Sequence, residues 1–529
     1  MAIFQKFLLP MLIVLVVTLP RWVEAQSCTH YAADSPQGVG DHTSEANAGD
    51  VSTAWAKLSA GDTLCLVDGT YTGANSMIEP PNGMSGTAGN PITVKALNDG
   101  GATLNGQFAR QPVALYQNDW FVLEGFNAHS SNNSVVHIAG PSGGGNGSDN
   151  VIVRRVVAWD APFDSNSQVF DVDNSQGVLL EDVAGFGSGR KTFVVYRSDD
   201  VILRRAWGRW EGSNRSGPKE AFSLSYRSYD VIGENLIAFW TGGLGGVTDQ
   251  LYGALSRDRL EANDDPWEDP DRNFAGNVKL LGSIAYVPAT ASPSPGSDFG
   301  GVFLGGMDFL ELIDVVSYVN KATTNTFSLV NCGSCTGPVD NLTASNLTAI
   351  GGDGSARIES QWAINNIDER ATVAQAANIY TNPTGSRICY NFVDGTLTSE
   401  PLWPWPMNQR IIDAMTDAGV TPVDVTATIE SIFGTIPAEC RSDAQGMNPG
   451  FAGPATGLGL AGAGTPAFPG ISTGVGLTGA GTPAFPGPST GISLTASATP
   501  PAPGNSTGLS LTGNATPPFP GIPTGLGFP

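Results

Sequence analysis

The phrase SDDVILRRAWGRWEG, residues 198–212, recurs with variations about eight times, and this repetition limits the possible folds more than any other property of the chain. Each copy has a polar pair, a short β-branched run, a charged or polar corner and a second apolar run that closes on an aromatic residue. The first apolar residues of the copies are Phe121, Val151, Val178, Val201, Val231, Val278, Leu310 and Leu342, at successive intervals of 30, 27, 23, 30, 47, 32 and 32. One unit of this size cannot bury its apolar side alone, so a period of ~20–50 residues implies a solenoid whose neighbours cover one another. Helical periodicity is absent from the repeats. The expected class is therefore all-β, a single-stranded right-handed parallel β-helix, because sequential coils stack in parallel and parallel crossovers are right-handed. A propeller needs a longer, four-stranded repeat, and a sandwich does not repeat in sequence.

Stacking requires residues at equal offset from the anchor to be neighbours along the axis. Three positions after it stand Glu124, Arg154, Glu181, Arg204 and Glu234, alternating in sign without a break. Strands ~4.8 Å apart would set each carboxylate between two guanidiniums, which makes Arg154 and Arg204 structural. Eight positions after the anchor stand His129, Trp159, Phe186, Arg209, Phe239, Tyr286, Tyr318 and Ile350. This reads as a packed aromatic row that includes His129. Arg209 interrupts it.

Residues 1–25 read as a secretory signal, with Lys6, an apolar run from Phe7 and a small-residue site at Val23-Glu24-Ala25. No later run approaches ~20 apolar residues, so no transmembrane anchor is expected, and the mature chain reads as a secreted or cell-surface monomer. The β-helix is assigned to 26–359, opened by a short capping helix over 43–58 with Val51, Trp55 and Leu58 on one face. Residues 360–440 read as a small C-terminal cap over the last coils. Its proline-started helix, within Leu402–Gly419, puts Ile411, Ile412 and Met415 on one face. Residues 441–529 form a tail without a charge beyond Asp443 and with a 17-residue repeat marked by Thr456, Thr473, Thr490, Thr507 and Thr524. Its Pro, Gly, Thr and Ser content suits a disordered linker or surface tether, with a short-period solenoid as the alternative. Six cysteines fit an oxidising compartment, with Cys28–Cys65, Cys332–Cys335 and Cys389–Cys440 as the expected pairs and metal binding by Cys332 and Cys335 as the weaker rival, since no second CxxC accompanies them. Asn132, Asn146, Asn214, Asn341 and Asn346 head glycosylation triplets, which matter in a eukaryotic host.

The formal charge of -23 disfavours nucleic acid and anionic membranes as partners. Against that background Arg190–Arg227 holds nine basic residues and four acidic ones, a local +5. Tyr196, Trp207, Trp210 and Tyr226 fall in the same window. Cations among flat rings suit an acidic polysaccharide, with carboxylates to pair and sugar faces to stack. Arg190, Arg209, Trp210, Arg215 and Tyr226 are the expected substrate contacts.

GDTLCLVDGTYTG (61–73) followed by PITVKALNDGGATLNG (91–106) resembles the opening coils of β-helical polysaccharide lyases, the chondroitinase B and alginate lyase group. The later repeats resemble the pectate-lyase-like superfold. The resemblance implies β-elimination on a uronate-rich polymer, with one basic residue taking the proton beside the carboxylate and a second assisting the leaving oxygen. It also implies calcium held by acidic residues. The group's acidic-residue-plus-lysine motif is not intact in this chain. Its nearest counterpart is GPKEAFSLSYRS (217–228), which makes Lys219 or Lys191 the expected base and Arg227 the acid. A lysine base must first be depressed from its ordinary ~10.4, by burial or by nearby cations. A solvated surface lysine is the plain alternative for both.

For calcium the expected ligands are Asp264, Asp265, Glu268 and Asp269 in EANDDPWEDPD, hard oxygen donors without EF-hand spacing. A solvated acidic loop is the other reading. Two further functions use the same fold: a non-catalytic, adhesin-like glycan-binding protein displayed on the tail, and a glycosidase using paired acids such as Asp171 and Asp173.

Overall fold

The structure, a computed structural model, describes residues 27–140, 147–215, 219–226, 228–240, 250–255, 276–287, 300–305, 309–313, 315–319, 325–329, 341–351, 357–358, 365–370, 408–420 and eight short strands between 455 and 512. Residues 27–391 and 397–450 belong to one compact unit, and the tail from 451 belongs to another.

The first unit is a right-handed parallel β-helix. A full coil has three strands, as in Val113–Tyr116, Phe121–Glu124 and Asn127–His129. The next coil repeats them as Val136–Ala139, Ile152–Arg154 and Val157–Trp159. First strands of successive coils build a nine-stranded parallel sheet that runs to Arg357–Ile358. Second and third strands build two further parallel stacks, joined where Asn341–Gly351 runs through both. Asn365–Arg370 still pairs with that strand, so the helix extends past residue 359. The repeat read from the sequence contains the second and third strands of each coil. The first strand was not recognised there.

Register follows the anchors. Val151, Val178, Val201, Val231 and Val278 are buried in one continuous core. Three positions before them, the seryl hydroxyls of Ser148, Ser175, Ser198 and Ser228 each accept a hydrogen bond from the backbone N–H one coil earlier, at 3.0–3.2 Å. Buried backbone donors need partners, and a hydroxyl at this offset supplies one for each rung. The alternating charge ladder is present. Arg154 pairs in register with Glu124 and Glu181, and Arg204 with Glu181 and Glu234. Glu181 is fully buried and meets Arg204 at 2.8 Å, Arg205 at 2.9 Å and Arg154 at 3.6 Å.

A second aromatic column, unread in the sequence, stacks inside the first sheet. Phe170, Phe193 and Phe222 lie 4.6 Å apart between centroids, followed by Tyr252 at 5.4 Å. It narrows the interior so far that a Cβ on Gly208 would come within 2.7 Å of the Phe222 ring. Glycine is required there.

The stretch expected as one capping helix is a 3-10 turn, Glu45–Asn47, and a single α-turn, Val51–Ala54. The chain is extended at Ala48 and Asp50, and the His42 ring lies against Gly49, closer than a Cβ would allow. The helix therefore breaks between the two. Val51, Trp55 and Leu58 are nonetheless buried, as their spacing predicts. Cys28 and Cys65 form a disulfide. The other four cysteines and the signal segment lie outside the described residues.

The Asn408–Asp417 helix lies along the flank of the third sheet, where a cap over the last coils was expected. Ile411, Ala414 and Met415 pack on the outward row that contains Trp159, Phe186, Trp207 and Phe239. Arg410 fixes it. Its guanidinium donates to the carbonyls of Phe126 and Arg155 and to Asn127 Oδ1, and pairs with Asp99 at 3.2 Å. Burial pulls Arg410 down to about 10, still charged at neutral pH.

Glu181→Ala should destabilise the fold by about 3–5 kcal/mol, because it leaves buried guanidiniums uncompensated. Equilibrium urea unfolding of the two proteins measures this, and a loss below about 1 kcal/mol contradicts the network's role.

Candidate functional site

The described residues of the basic window do not converge on one exposed surface. Arg209 is 3% exposed and lies under the flank helix, with its Nη1 3.8 Å from Met415 Sδ and an ion pair to Glu211. Its Cζ sits 5.8 Å from the ring centroids of both Phe186 and Trp207. The aromatic row therefore detours through Trp207, two residues earlier on the same strand, and continues to Phe239. Burial pushes the Arg209 guanidinium down and the Glu211 carboxyl up, each opposed by its partner. Arg209 is a packing residue, not the floor of a groove. Trp210 is fully buried, and its indole N–H donates to Gly189 O at 2.9 Å. No sugar can stack on it.

Lys191 is 4% exposed, 3.3 Å from Glu220 and donating to Ser223 Oγ at 2.8 Å. Burial lowers its pKa, the direction a lysine base requires, but the amine is enclosed. Lys219 is half-buried, Arg190 is half-buried with its guanidinium on Asn166, and Arg215 is exposed. Tyr226 closes a first-sheet strand in register with Tyr196. Arg227 and the expected calcium ligands Asp264, Asp265, Glu268 and Asp269 lie outside the described residues.

A different set of residues does converge, on the outer face of the first sheet. Strand alternation turns Val136, Ile138, Phe170 and Val172 into the core, so His137, Asp171 and Asp173 point outward. Register then places Asp171 beside His137, and Asp173 beside both Ala139 and Tyr196. Tyr116 ends the preceding first strand, next to Ala139.

The contacts make this a connected site. His137 Nε2 faces Asp171 Oδ2 at 3.7 Å, and Ser134 Oγ donates to the same oxygen at 2.7 Å. His137 Nδ1 lies 3.1 Å from both Tyr116 Oη and Gln111 Nε2. The Tyr116 hydroxyl donates to Gln111 Oε1 at 3.0 Å. Nδ1 thus has an amide donor and a phenol oxygen within reach, so the ring proton can occupy either nitrogen. Such a ring is suited to giving and taking protons. Arg197 holds Asp173 through Nε and Nη2, at 3.1–3.3 Å, and its Nη1 makes no hydrogen bond among the described residues. Burial and the adjacent Asp171 charge push Asp173 up, against the pull of Arg197 and His137. Burial likewise raises Tyr116 and keeps its phenol protonated. The side chains of His137, Asp171, Asp173 and Arg197 remain 13–25% exposed, so small groups can reach them.

The sequence named Asp171 and Asp173 as a pair and counted Arg197 within the basic window, but missed His137, Tyr116 and Gln111. The available signal was alternation in VVHIA (135–139) and VFDVD (169–173), the runs that precede Ser148 and Ser175. Those runs sit in the interval that the two-run repeat treated as connection.

At the corner after the first sheet, carboxylate oxygens of Asp199, Asp200 and Asp230 lie within 4.8 Å of one another. Their hard donors have the chemistry of a calcium site.

No protein-family profile matches the chain, and no curated protein matches it. Among solved structures it is similar to pectate lyase Pel9A, with TM-score 0.40 and 12% identity over 72% of this chain and 90% of that one. It is also similar to the A-module of the Azotobacter vinelandii mannuronan C-5 epimerase AlgE4, with TM-score 0.37 and 10% identity over 91% and 94%. A third neighbour is the PL6 alginate lyase AlyGC, with TM-score 0.30 and 10% identity over 90% and 78%.

Arg209→Ala should lower thermal stability while leaving affinity for acidic glycans unchanged. Thermal unfolding together with glycan titration by calorimetry checks both, and a loss of affinity with no loss of stability contradicts the burial of Arg209.

Proposed function

We propose that this chain is an exported enzyme acting on an acidic polysaccharide laid across the first sheet. The observation that carries this reading is the convergence of His137, Asp171, Asp173, Arg197 and Tyr116 on one partly exposed face. The reaction we assign is β-elimination at a uronate. Arg197 Nη1 is the edge available to the substrate carboxylate, and pairing there stabilises the charge that develops when the neighbouring carbon loses its proton. His137 takes that proton. Tyr116, protonated and in contact with His137, gives a proton to the glycosidic oxygen as the C–O bond breaks. Base and acid then work from the same side of the sugar ring. Asp171, fixed by Ser134, stabilises the imidazolium that forms.

Calcium, if the enzyme uses it, fits Asp199, Asp200 and Asp230, where it would supply positive charge near the polymer. The proton transfers remain with His137 and Tyr116. The Cys28–Cys65 disulfide is compatible with export.

One observation favours hydrolysis as a second reading: the environments of Asp171 and Asp173 differ. Burial raises Asp173, as a general acid requires, while Ser134 donates to Asp171. The two readings separate by product. Elimination leaves an unsaturated uronate that absorbs in the ultraviolet, and hydrolysis leaves reducing ends without that chromophore. Assays on alginate, pectate and chondroitin, with and without calcium, should give the chromophore on at least one polymer. Glycan binding with neither product would make the chain a non-catalytic binder and overturn the enzyme reading.

His137→Ala should reduce turnover by about 10²–10⁴-fold, the usual range for a general base. Arg197→Lys, which keeps the charge but loses the planar fork, should act mainly on KM. The pH profile has a definite sign in the hydrolytic case. Asp173 must be protonated, so the rate falls as pH rises through its raised pKa, and Asp173→Asn removes that limb. Elimination requires no such limb.

A further inference from the structure

The separation of His137 from Tyr116 restricts which uronate the first sheet can act on. Register sets His137 beside Ala114, two residues before Tyr116, so the two outward side chains are diagonal neighbours. His137 Nδ1 lies 3.1 Å from Tyr116 Oη, and the rings meet edge to face with centroids 5.3 Å apart. Gln111 holds the pair together: its Nε2 is 3.1 Å from Nδ1, and its Oε1 accepts the Tyr116 hydroxyl at 3.0 Å. The same Nε2 donates to Ser134 O at 3.3 Å, and the Ser134 hydroxyl donates to Asp171. Imidazole and phenol are therefore fixed in contact on one face of the sheet.

β-Elimination takes the proton from C5 of a uronate and breaks the bond from C4 to the glycosidic oxygen. A base and an acid each work ~2.6–3.2 Å from the atom they serve. With H5 and O4 on opposite faces of the ring, the two groups must stand on either side of it, ~5–6 Å apart before the ring's own thickness is added. A pair in contact at 3.1 Å cannot straddle a sugar. It serves a ring whose H5 and O4 share a face.

The configuration at C4 and C5 decides which uronates those are. In D-glucuronate and D-mannuronate, H5 and O4 are on the same face. Inverting C5 gives L-iduronate and L-guluronate, and inverting C4 of glucuronate gives D-galacturonate. In all three of these, H5 and O4 are on opposite faces.

Resting on the elimination assigned above, we propose that the substrate is a polymer of mannuronate or glucuronate linked through O4. The C5 proton passes to Nδ1 of His137 as the C4–C5 double bond forms and the C4–O bond breaks. The departing oxygen keeps the electron pair of that bond and takes the phenol proton of Tyr116. His137 then returns its proton to the phenolate across the 3.1 Å contact, which restores both side chains. The net transfer is one proton from C5 to the leaving oxygen, with no other reactant. That return path exists because base and acid touch.

Polymers that differ at one carbon of the uronate test this on the intact chain. Polymannuronate against polyguluronate, and chondroitin against desulfated dermatan, invert C5 alone, while polygalacturonate carries the inverted C4. The unsaturated chromophore should form from polymannuronate or chondroitin at least ~10²-fold faster than from the three inverted polymers, the low end of what a positioned acid or base contributes. The faster of the two identifies the uronate. Equal or faster elimination from any inverted polymer overturns the proposal and leaves the lyase reading standing. No chromophore from any of the polymers overturns both. Tyr116→Phe keeps the ring and removes the acid, so kcat on the preferred polymer should fall ~10²–10⁴-fold with KM little changed. An unchanged kcat means that Tyr116 is not the acid, and the proposal falls with it.

Discussion

Register between coils is the constraint on which the rest of this molecule depends. In a parallel stack every residue is committed to the column of its offset, and a slip of one position turns core side chains outward. Here several columns enforce the same alignment together. Valine anchors fill the interior, serine hydroxyls three positions earlier accept the buried backbone N–H groups, and carboxylates alternate with guanidiniums three positions later. The charge column is the most demanding of these. Glu181 is inaccessible to water, so its charge is tolerable only while Arg154, Arg204 and Arg205 surround it. Such a network favours the alignment in which all three guanidiniums reach the carboxylate, because a shifted register leaves part of that buried charge unpaired.

Once register is fixed, the outward columns decide what each face can do. On the third sheet the outward column is apolar and aromatic, and water would meet a broad hydrophobic stripe there. The Asn408–Asp417 helix covers it, held by an arginine that satisfies carbonyls from two neighbouring coils. That cover also removes Arg209 from any role with a polymer. On the first sheet the outward column mixes His137, Asp171, Asp173, Tyr116 and Tyr196, and it remains partly open. One face is closed by packing and the other stays partly open to solvent. The division follows from which residues occupy the outward positions and requires no difference in backbone.

The fold was legible in the sequence because register leaves a one-dimensional trace. Equal offsets from Phe121 to Leu342 reproduced the strand pairings later found for Arg154, Glu181 and Arg204. The exception at Arg209 was legible too, but its meaning was not. An arginine interrupting an aromatic row looks like an exposed binding group until a helix about 200 residues later is known to lie over it. The positive window misled for a related reason: Arg204 and Arg205 are neutralised by Glu181 and Asp182, and Lys191 by Glu220, across coils. Local charge sums do not register partners one turn of the solenoid away. The face proposed for catalysis was missed because its strands lie where interval lengths vary most, between one copy of the repeat and the next. There the alternation of VFDVD was visible, but its neighbours His137 and Arg197 could be assigned only once coils were superposed.

The body and the tail apply the same stacking rule with opposite safeguards. In the body, each coil differs from the next and the charge column alternates in sign. In the tail, four rungs are nearly interchangeable and uncharged, so nothing in the pairing itself distinguishes an inner neighbour from an outer one. Specific register in the body comes from differences between coils. In the tail the 17-residue spacing alone sets it, through rungs that are nearly identical.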